Sequence, residues 1–108
     1  MQSNLLYFFG KNPFLRILDV FIDNLGEDYA KKEVQELAGI SKGALFNHWS
    51  KLEGLALIKI TRQFGNTKLF TLNTGSIFVQ DILKFKARMI EETMPKEKNE
   101  RKLLTANA

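Results

Sequence analysis

One short stretch of the chain, residues 41–51, carries the side chains whose chemistry is clearest. Lys42 can donate to guanine O6 and N7 or neutralise a phosphate, and Asn47 offers the donor and acceptor pair that matches adenine N6 and N7. Gly43 permits the close approach of a ligand, and Ala44 presents a methyl group that fits the methyl of thymine. The candidate nucleic-acid contacts in this stretch are Ser41, Lys42, Gly43, Ala44, Phe46, Asn47 and Lys51.

Two further groups of polar side chains suit a phosphate backbone. Lys31 and Lys32 begin a predicted helix, and the positive end of a helix dipole favours an anion. The second group surrounds a predicted turn at Gly65-Asn66. Its members, which we expect to contact DNA, are Arg62, Asn66, Thr67 and Lys68.

The same side chains argue against catalysis. The 108 residues contain one histidine, His48, and no cysteine, so a metal site has no second ligand of these types. The sequence shows no paired-carboxylate site, no nucleophile with its base and no phosphate-binding glycine loop. We therefore expect no enzyme and no metal or cofactor. His48 is expected either to lie exposed near a phosphate or to make a structural hydrogen bond.

Apolar periodicity and capping residues predict three helices before the turn at Gly65. Asn12-Pro13 is a helix start, and apolar residues recur at spacings of three and four up to residue 25, before Gly26. A second helix is predicted at 31–38, with Gly39 at its end. Ser41 caps a third helix, which runs to about residue 54. Phe46 lies outside the apolar stripe of that helix, and we expect it to pack on the second helix or on a sugar-phosphate edge.

The pattern then changes from helix to strand and back. Residues 57–62 and 68–72 are rich in β-formers and partly alternate, which predicts a hairpin around Gly65-Asn66. A long helix follows from 77 to about 94, and Pro95 stops it. The sequence therefore predicts a mainly α fold with a small β-hairpin (α+β), namely a winged helix-turn-helix with an extra C-terminal helix.

Residues 29–55, YAKKEVQELAGISKGALFNHWSKLEGL, resemble the winged helix-turn-helix domain of transcriptional regulators. They are most similar to compact prokaryotic regulators, particularly archaeal ones, and the similarity extends through the hairpin. The resemblance implies that the helix at about 41–54 enters the major groove and that the wing at about 57–72 touches the backbone or minor groove. The chain departs from this pattern at Ala44 and Phe46, where polar or basic residues are common, and at Ala30, where a capping Ser or Thr is usual.

The last predicted helix carries two adjacent apolar stripes, whereas one docking face needs only one. One stripe, together with the apolar segment near the N-terminus, is expected to form a homodimer interface. Alternatively, both stripes pack on the first helix of the same chain. The predicted organisation is an N-terminal arm or strand (1–12), a winged helix-turn-helix domain (13–73), a dimerisation helix (74–94) and a flexible charged tail (95–108). The predicted interface residues are Leu5, Phe8, Phe78, Ile82, Phe85 and Met89.

The net charge is +4, and its excess lies in the middle and the tail. Residues 28–72 carry seven basic and four acidic side chains, which suits a nucleic-acid partner. No apolar run approaches the roughly 18 residues of a membrane span, and the N-terminus lacks the basic start of a secretory signal. We therefore expect a cytoplasmic protein with no membrane partner.

These observations indicate sequence-specific binding of double-stranded DNA by a dimeric transcriptional regulator, expected to be a repressor. Two other functions remain open. A protein–protein adaptor is favoured by Ala44 and Phe46 on the predicted contact face, and a non-specific architectural DNA binder would need more positive charge. The residues indicate no particular small-molecule effector.

Overall fold

The structure, a computed structural model, describes Leu6 and residues 9–93 of the chain. Within this part, three helices precede a two-stranded antiparallel hairpin, and a long helix follows it. This order confirms the predicted α+β winged helix-turn-helix class. The elements are α1 (Pro13–Asp23), α2 (Lys31–Ala38), α3 (Lys42–Gly54), β1 (Ile58–Phe64), β2 (Thr67–Leu72) and α4 (Ile77–Thr93).

Helix α1 begins where the sequence predicts and ends earlier. The Asn12 side chain accepts a hydrogen bond from the Leu15 N–H at 2.9 Å, which satisfies one of the N–H groups left over at a helix start. At the other end, the Asn24 side chain donates to the Val20 carbonyl at 2.7 Å. The helix therefore stops at Asp23 rather than at residue 25, and Gly26, with a φ of 87°, lies in the turn that follows.

The tight turn between α2 and α3 is set by a glycine and a serine. Gly39 adopts a φ of 66°, a left-handed conformation that favours glycine, and its N–H donates to carbonyls of the last turn of α2. The Ser41 Oγ accepts from the Ala44 N–H at 3.1 Å and caps α3. Ala30 at the start of α2 offers no side-chain cap, and the Glu33 carboxylate instead accepts the Ala30 N–H at 2.9 Å. Both helices of the helix-turn-helix are confirmed.

The hairpin is longer than predicted and is joined to the helical part. A two-residue turn with Gly65 at its first position, φ 59°, closes the strands, and an irregularity in the register lies between Ile60 and Arg62. Tyr29, in the link before α2, exchanges two backbone hydrogen bonds of 2.8 Å with Phe70 of β2. These bonds hold the hairpin against the start of α2.

One core lies between α1, α2, α3 and the base of the hairpin. At its centre, the Trp49 ring meets the Phe70 ring edge-on at 5.0 Å between centroids, and Phe21 packs on the other side of Trp49 at 6.2 Å. Aromatic pairs in such geometry add to the stabilisation from burial. The buried apolar residues are Ile17, Leu18, Val20, Phe21, Ile22, Val34, Leu45, Trp49, Leu52, Leu57, Ile58, Phe70, Leu72, Val79 and Met89.

The residues of α4 in the predicted dimer interface differ in how far their own chain covers them. Met89 is only 3% exposed within its own chain, whereas Ile82 is half-buried against the same core and also lines an open apolar groove. Phe78 and Phe85 remain 63% and 41% exposed. The alternative in which α4 packs on its own chain therefore holds for part of the helix, because the Val79 side faces the core.

The predictions for the two ends fall largely outside the described residues. Leu5, Phe8 and the charged tail 95–108 are not among them. Leu6 and Phe9 are helical, and the Gly10 N–H donates to the Leu6 carbonyl at 2.8 Å, so the strand alternative for the N-terminal segment is wrong at these positions. No helix in the described part is long and apolar enough to cross a lipid bilayer.

Candidate nucleic-acid interface

Helix α3 presents one apolar flank to the core and its polar side chains to the surroundings. Leu45, Trp49 and Leu52 are buried, and this fixes the rotation of the helix about its axis. Lys42 and Asn47 are therefore exposed, both in the N-terminal half of the helix. That half is the part of a recognition helix that contacts base edges in the major groove.

The other predicted contacts on α3 are exposed to different degrees. Gly43 is exposed, and a Cβ atom built there would meet only the Ser41 Oγ at 4.0 Å, so another backbone could approach it closely. Ala44 is half-buried. Lys51 is exposed on the flank that faces α1, where its ammonium lies 5.5 Å from the centre of the Phe14 ring.

Phe46 is the exposed aromatic side chain of α3. It is 56% exposed, and two lysine ammonium groups approach its ring, Lys42 at 5.9 Å and Lys31 at 6.0 Å from the centroid. The Lys31 ammonium also lies 5.5 Å from the centre of the Trp49 ring. The expected packing of Phe46 against α2 is thus a contact with Lys31, and much of the ring remains open to a partner.

A basic cleft lies between the start of α2 and the tip of the hairpin. It is open and has a volume of about 400 Å³. Lys31 and Lys32 lie on one wall, at the positive end of the α2 dipole, and Lys68 lies on the other. The two groups of predicted phosphate contacts therefore converge, because the Tyr29–Phe70 bridge draws the hairpin to α2. We call this the basic cleft; its lining residues are Ala30, Lys31, Lys32, Asn66, Thr67, Lys68 and Phe70.

Arg62 lies apart from the other predicted wing contacts. Its Nε and Nη2 donate to the two carboxylate oxygens of Asp28 at 3.0 and 3.1 Å, and its guanidinium lies 5.4 Å from the centre of the Phe64 ring. The hydrogen bond from Arg62, assisted by one from Thr61, lowers the pKa of Asp28 below its ordinary value. Arg62 borders a separate cleft with Asp28 and Lys59, so the structure does not bring it into the basic cleft.

The single histidine lies on α3 beside Phe14 of α1. His48 is half-buried, and its ring meets the edge of Phe14 at 6.3 Å between centroids. The His48 Nδ1 is buried and makes no hydrogen bond within the described residues. Over the same part of the chain, no three His, Cys, Asp or Glu side chains are grouped so as to hold a metal ion.

Sequence reasoning missed two residues of this surface. Phe64 is an exposed apolar residue next to the hairpin turn. An apolar residue directly before Gly65 was the signal in the sequence that could have identified it. Asp28, the partner of Arg62, lies 34 positions from it, and no local pattern links the two. Both residues contact the Arg62 guanidinium.

Comparisons with known proteins show the fold. No protein-family profile matches the chain, and no curated protein sequence matches it. Among solved structures, the Staphylococcus aureus MepR–DNA complex matches with a TM-score of 0.57 and 18% identity, over 97% of this chain and 86% of MepR. Lactococcus lactis ZitR, a mutant in apo form, matches with a TM-score of 0.56 and 16% identity, over 94% of this chain and 85% of ZitR.

A third structure is that of NMB1585, a MarR family regulator from Neisseria meningitidis. It matches with a TM-score of 0.55 and 14% identity, over 88% of this chain and 70% of NMB1585. The similarity at this level of identity concerns the backbone rather than the side chains of the site. The chain has the winged helix-turn-helix fold that these three proteins have.

Proposed function

We propose that this protein is a transcription regulator that binds double-stranded DNA as a dimer, in a sequence-specific manner. Helix α3 lies in the major groove, and the hairpin, as the wing, lies on the backbone or in the minor groove. The observation that carries this proposal is the basic cleft. The cleft brings Lys31, Lys32 and Lys68 together, and the Lys31 ammonium also lies 6.0 Å from the centre of the exposed Phe46 ring on α3.

The chemistry of the cleft suits a phosphate. The first N–H groups of α2 have no partner within the helix, and the helix dipole is positive at this end. Lysines from both walls add charge that can replace the counterions of a DNA strand. Phosphates bound here would fix the register of the duplex, and Lys42 and Asn47 would then face base edges.

The comparison with MepR supports the same arrangement. MepR is a transcription regulator of a multidrug efflux pump, and the matching structure is its complex with DNA. The match extends over 97% of this chain, which includes the helix-turn-helix and the hairpin. A duplex bound by the same elements here would meet the basic cleft.

The proposed dimer uses the exposed aromatic face of α4. Phe78 and Phe85 are largely exposed, and the ring of Phe9 lies 5.5 Å from that of Phe85, which extends the apolar surface towards α1. An apolar groove of about 560 Å³ lies beside this surface. Light scattering at micromolar concentration should give the mass of two chains, and Phe78→Ser with Phe85→Ser should give the mass of one. A monomeric wild type would contradict the dimer.

The regulatory direction that we propose is repression in the cytoplasm. A dimer with two recognition helices covers an inverted repeat whose half-sites lie about one helical turn apart, and occupation of such a site can block a promoter. A reporter gene behind the bound site should be less active when the protein is present. Higher reporter activity would contradict the repressor role.

Selection of bound duplexes from a random pool tests the proposal. We expect an inverted repeat to be enriched over successive rounds, because each half-site meets one copy of α3. Phe78→Ser with Phe85→Ser should abolish enrichment of the paired half-sites. Enrichment of no sequence at all, with salt-dependent binding to every duplex, would instead support a non-specific architectural binder.

One observation favours a second candidate, the protein–protein adaptor. Phe46 is 56% exposed, and exposed aromatic side chains are common at the centres of protein interfaces. Substitution of Lys42 and Lys68 by Ala separates the two functions. A DNA-binding protein should lose affinity and salt dependence, whereas an adaptor should keep a partner affinity that does not depend on these charges.

A further inference from the structure

Phe46 lies on α3 where an apolar side chain has no role in the core. Its neighbours Leu45 and Trp49 are buried, and Phe46 projects from the adjoining flank of the helix. Lys42 precedes it by one helical turn, and the ammonium groups of Lys42 and Lys31 lie on its ring. Two positive charges thereby lie near the ring, and more than half of the side chain remains exposed.

This combination fits a particular feature of DNA. Among the groups that base pairs display in the major groove, the apolar one is the 5-methyl group of thymine, and Phe is one of the side chains that contact it. The flanking ammonium groups suit the phosphates that border the groove. A neutral, apolar partner would offer these two lysines no negative charge to pair with.

We propose that Phe46 contacts the 5-methyl group of a thymine in the bound site and makes the protein prefer thymine at that position. This inference rests on the proposed function and adds the base that α3 selects through an apolar contact. Ala44, the other apolar candidate of the helix, is half-buried and reaches less far from the helix axis. Phe46 therefore supplies the larger apolar contact surface.

Replacement of thymine by uracil in the selected duplex tests this inference directly. The replacement removes one methyl group and keeps every hydrogen-bonding group of the base pair. With uracil at one position of one half-site, the wild type should bind the duplex about fourfold more weakly, which corresponds to the ~0.8 kcal/mol of one buried methyl group. The scan uses the unmodified protein, so it does not depend on the folding of a variant.

Variants then assign the effect to the ring. Phe46→Ala should bind the thymine and uracil duplexes equally, whereas Phe46→Leu should keep part of the preference because its side chain is still apolar. Leu37→Ala is the matched control, because Leu37 is an apolar residue of α2 with similar exposure. This variant should keep the full fourfold preference, and thermal unfolding should show that all three variants are folded.

The outcomes separate this inference from the proposed function. A wild type that binds selected DNA but tolerates uracil at every position would overturn the thymine contact and leave DNA binding intact. Phe46→Ala that weakens binding to both duplexes by the same factor would also overturn it. A wild type that binds no duplex would refute the proposed function itself.

Discussion

Two sets of cationic side chains in this protein differ in what surrounds them. Lys31, Lys32 and Lys68 line an open cleft. Arg62 and Lys86, by contrast, are bound to carboxylates of their own chain, Asp28 and Asp23. Neither of these two ion pairs includes a lysine of the cleft.

The difference separates charge that holds the fold from charge that can bind a ligand. A cation paired with a carboxylate has its charge largely compensated, so it attracts a phosphate less. Neither ion pair compensates the charge of a cleft lysine, and two of these lysines, Lys31 and Lys32, lie at the positive end of α2. Loss of a lysine from the cleft should therefore weaken DNA binding, whereas loss of Arg62 or Lys86 should weaken the fold.

The largest expected effect is on DNA affinity. Lys31→Ala with Lys68→Ala should weaken binding of the dimer to the selected duplex by about 10,000-fold or more, since four hydrogen bonds to charged groups are lost, two in each copy, and each contributes about 1.5–3 kcal/mol. The dependence of log affinity on log salt should become less steep by about four, because the dimer loses four phosphate contacts, two in each copy. Fluorescence anisotropy over a range of salt concentrations measures both quantities.

The matched control for that experiment is Lys59→Ala. Lys59 is an exposed lysine of the same hairpin, but it borders the cleft that holds Arg62 and Asp28. This variant should keep the affinity and the salt dependence of the wild type. An equal loss in Lys59→Ala would show that the total charge matters rather than the basic cleft.

A smaller effect is expected on stability from the Lys86–Asp23 pair. The Lys86 side chain is only 14% exposed, so Lys86→Ala removes packed methylene groups as well as the ion pair. The free energy of unfolding should fall by about 1–2 kcal/mol, measured by urea denaturation. Lys84→Ala, at an exposed position of α4, should change it by less than about 0.5 kcal/mol. Equal losses would contradict a structural role specific to Lys86.

The Arg62–Asp28 pair should show its role through pH. Because Arg62 lowers the pKa of Asp28 in the folded protein, the pair stabilises the fold fully above the ordinary value of 3.8. That contribution is lost as the pH falls through the lowered value. The stability difference between the wild type and Arg62→Ala should therefore be constant from neutral pH to about 4 and shrink below it. A carboxyl signal of Asp28 that titrates at its ordinary value would contradict the pair.

The smallest effect concerns Tyr29, which joins the hairpin to the rest of the chain. Its hydroxyl donates to Glu27 Oε2 at 2.6 Å, and this bond raises the pKa of Tyr29 to about 12. The resulting stabilisation is complete below the ordinary value of 10.0 and is lost as the pH rises through about 12. In a Tyr7→Phe background, phenolate absorbance should show this titration, and Glu27→Ala should bring it back towards 10.0. An unchanged titration in Glu27→Ala would mean that the hydrogen bond is not the cause.

Local signals in the sequence predicted most of the fold. Asn12, Gly39 and Ser41 act through atoms within a few residues of themselves, so their types alone mark the ends of helices. The burial of Met89 was not predictable in this way. The apolar pattern of α4 shows which side chains are apolar but not which of them the chain itself covers.

The candidate site was predicted residue by residue but not as an arrangement. The sequence marked Lys31, Lys32 and Lys68 as two separate groups, and only the bridge between Tyr29 and Phe70 brings them together. The sequence placed Arg62 among the wing contacts. Its partner Asp28 is 34 positions away in the chain, so no local pattern showed that the two residues pair. Such pairings depend on tertiary contacts, which a pattern of neighbouring residues does not contain.

Equilibrium binding of the wild type to two duplexes tests the central claim most directly. One duplex carries the selected inverted repeat, and the other has the same base composition in shuffled order. At physiological salt, the selected duplex should bind at least about 1,000-fold more tightly, and both affinities should fall as salt is raised. Equal affinity for the two duplexes, or no binding to either, would contradict the proposal that this protein is a sequence-specific DNA-binding regulator.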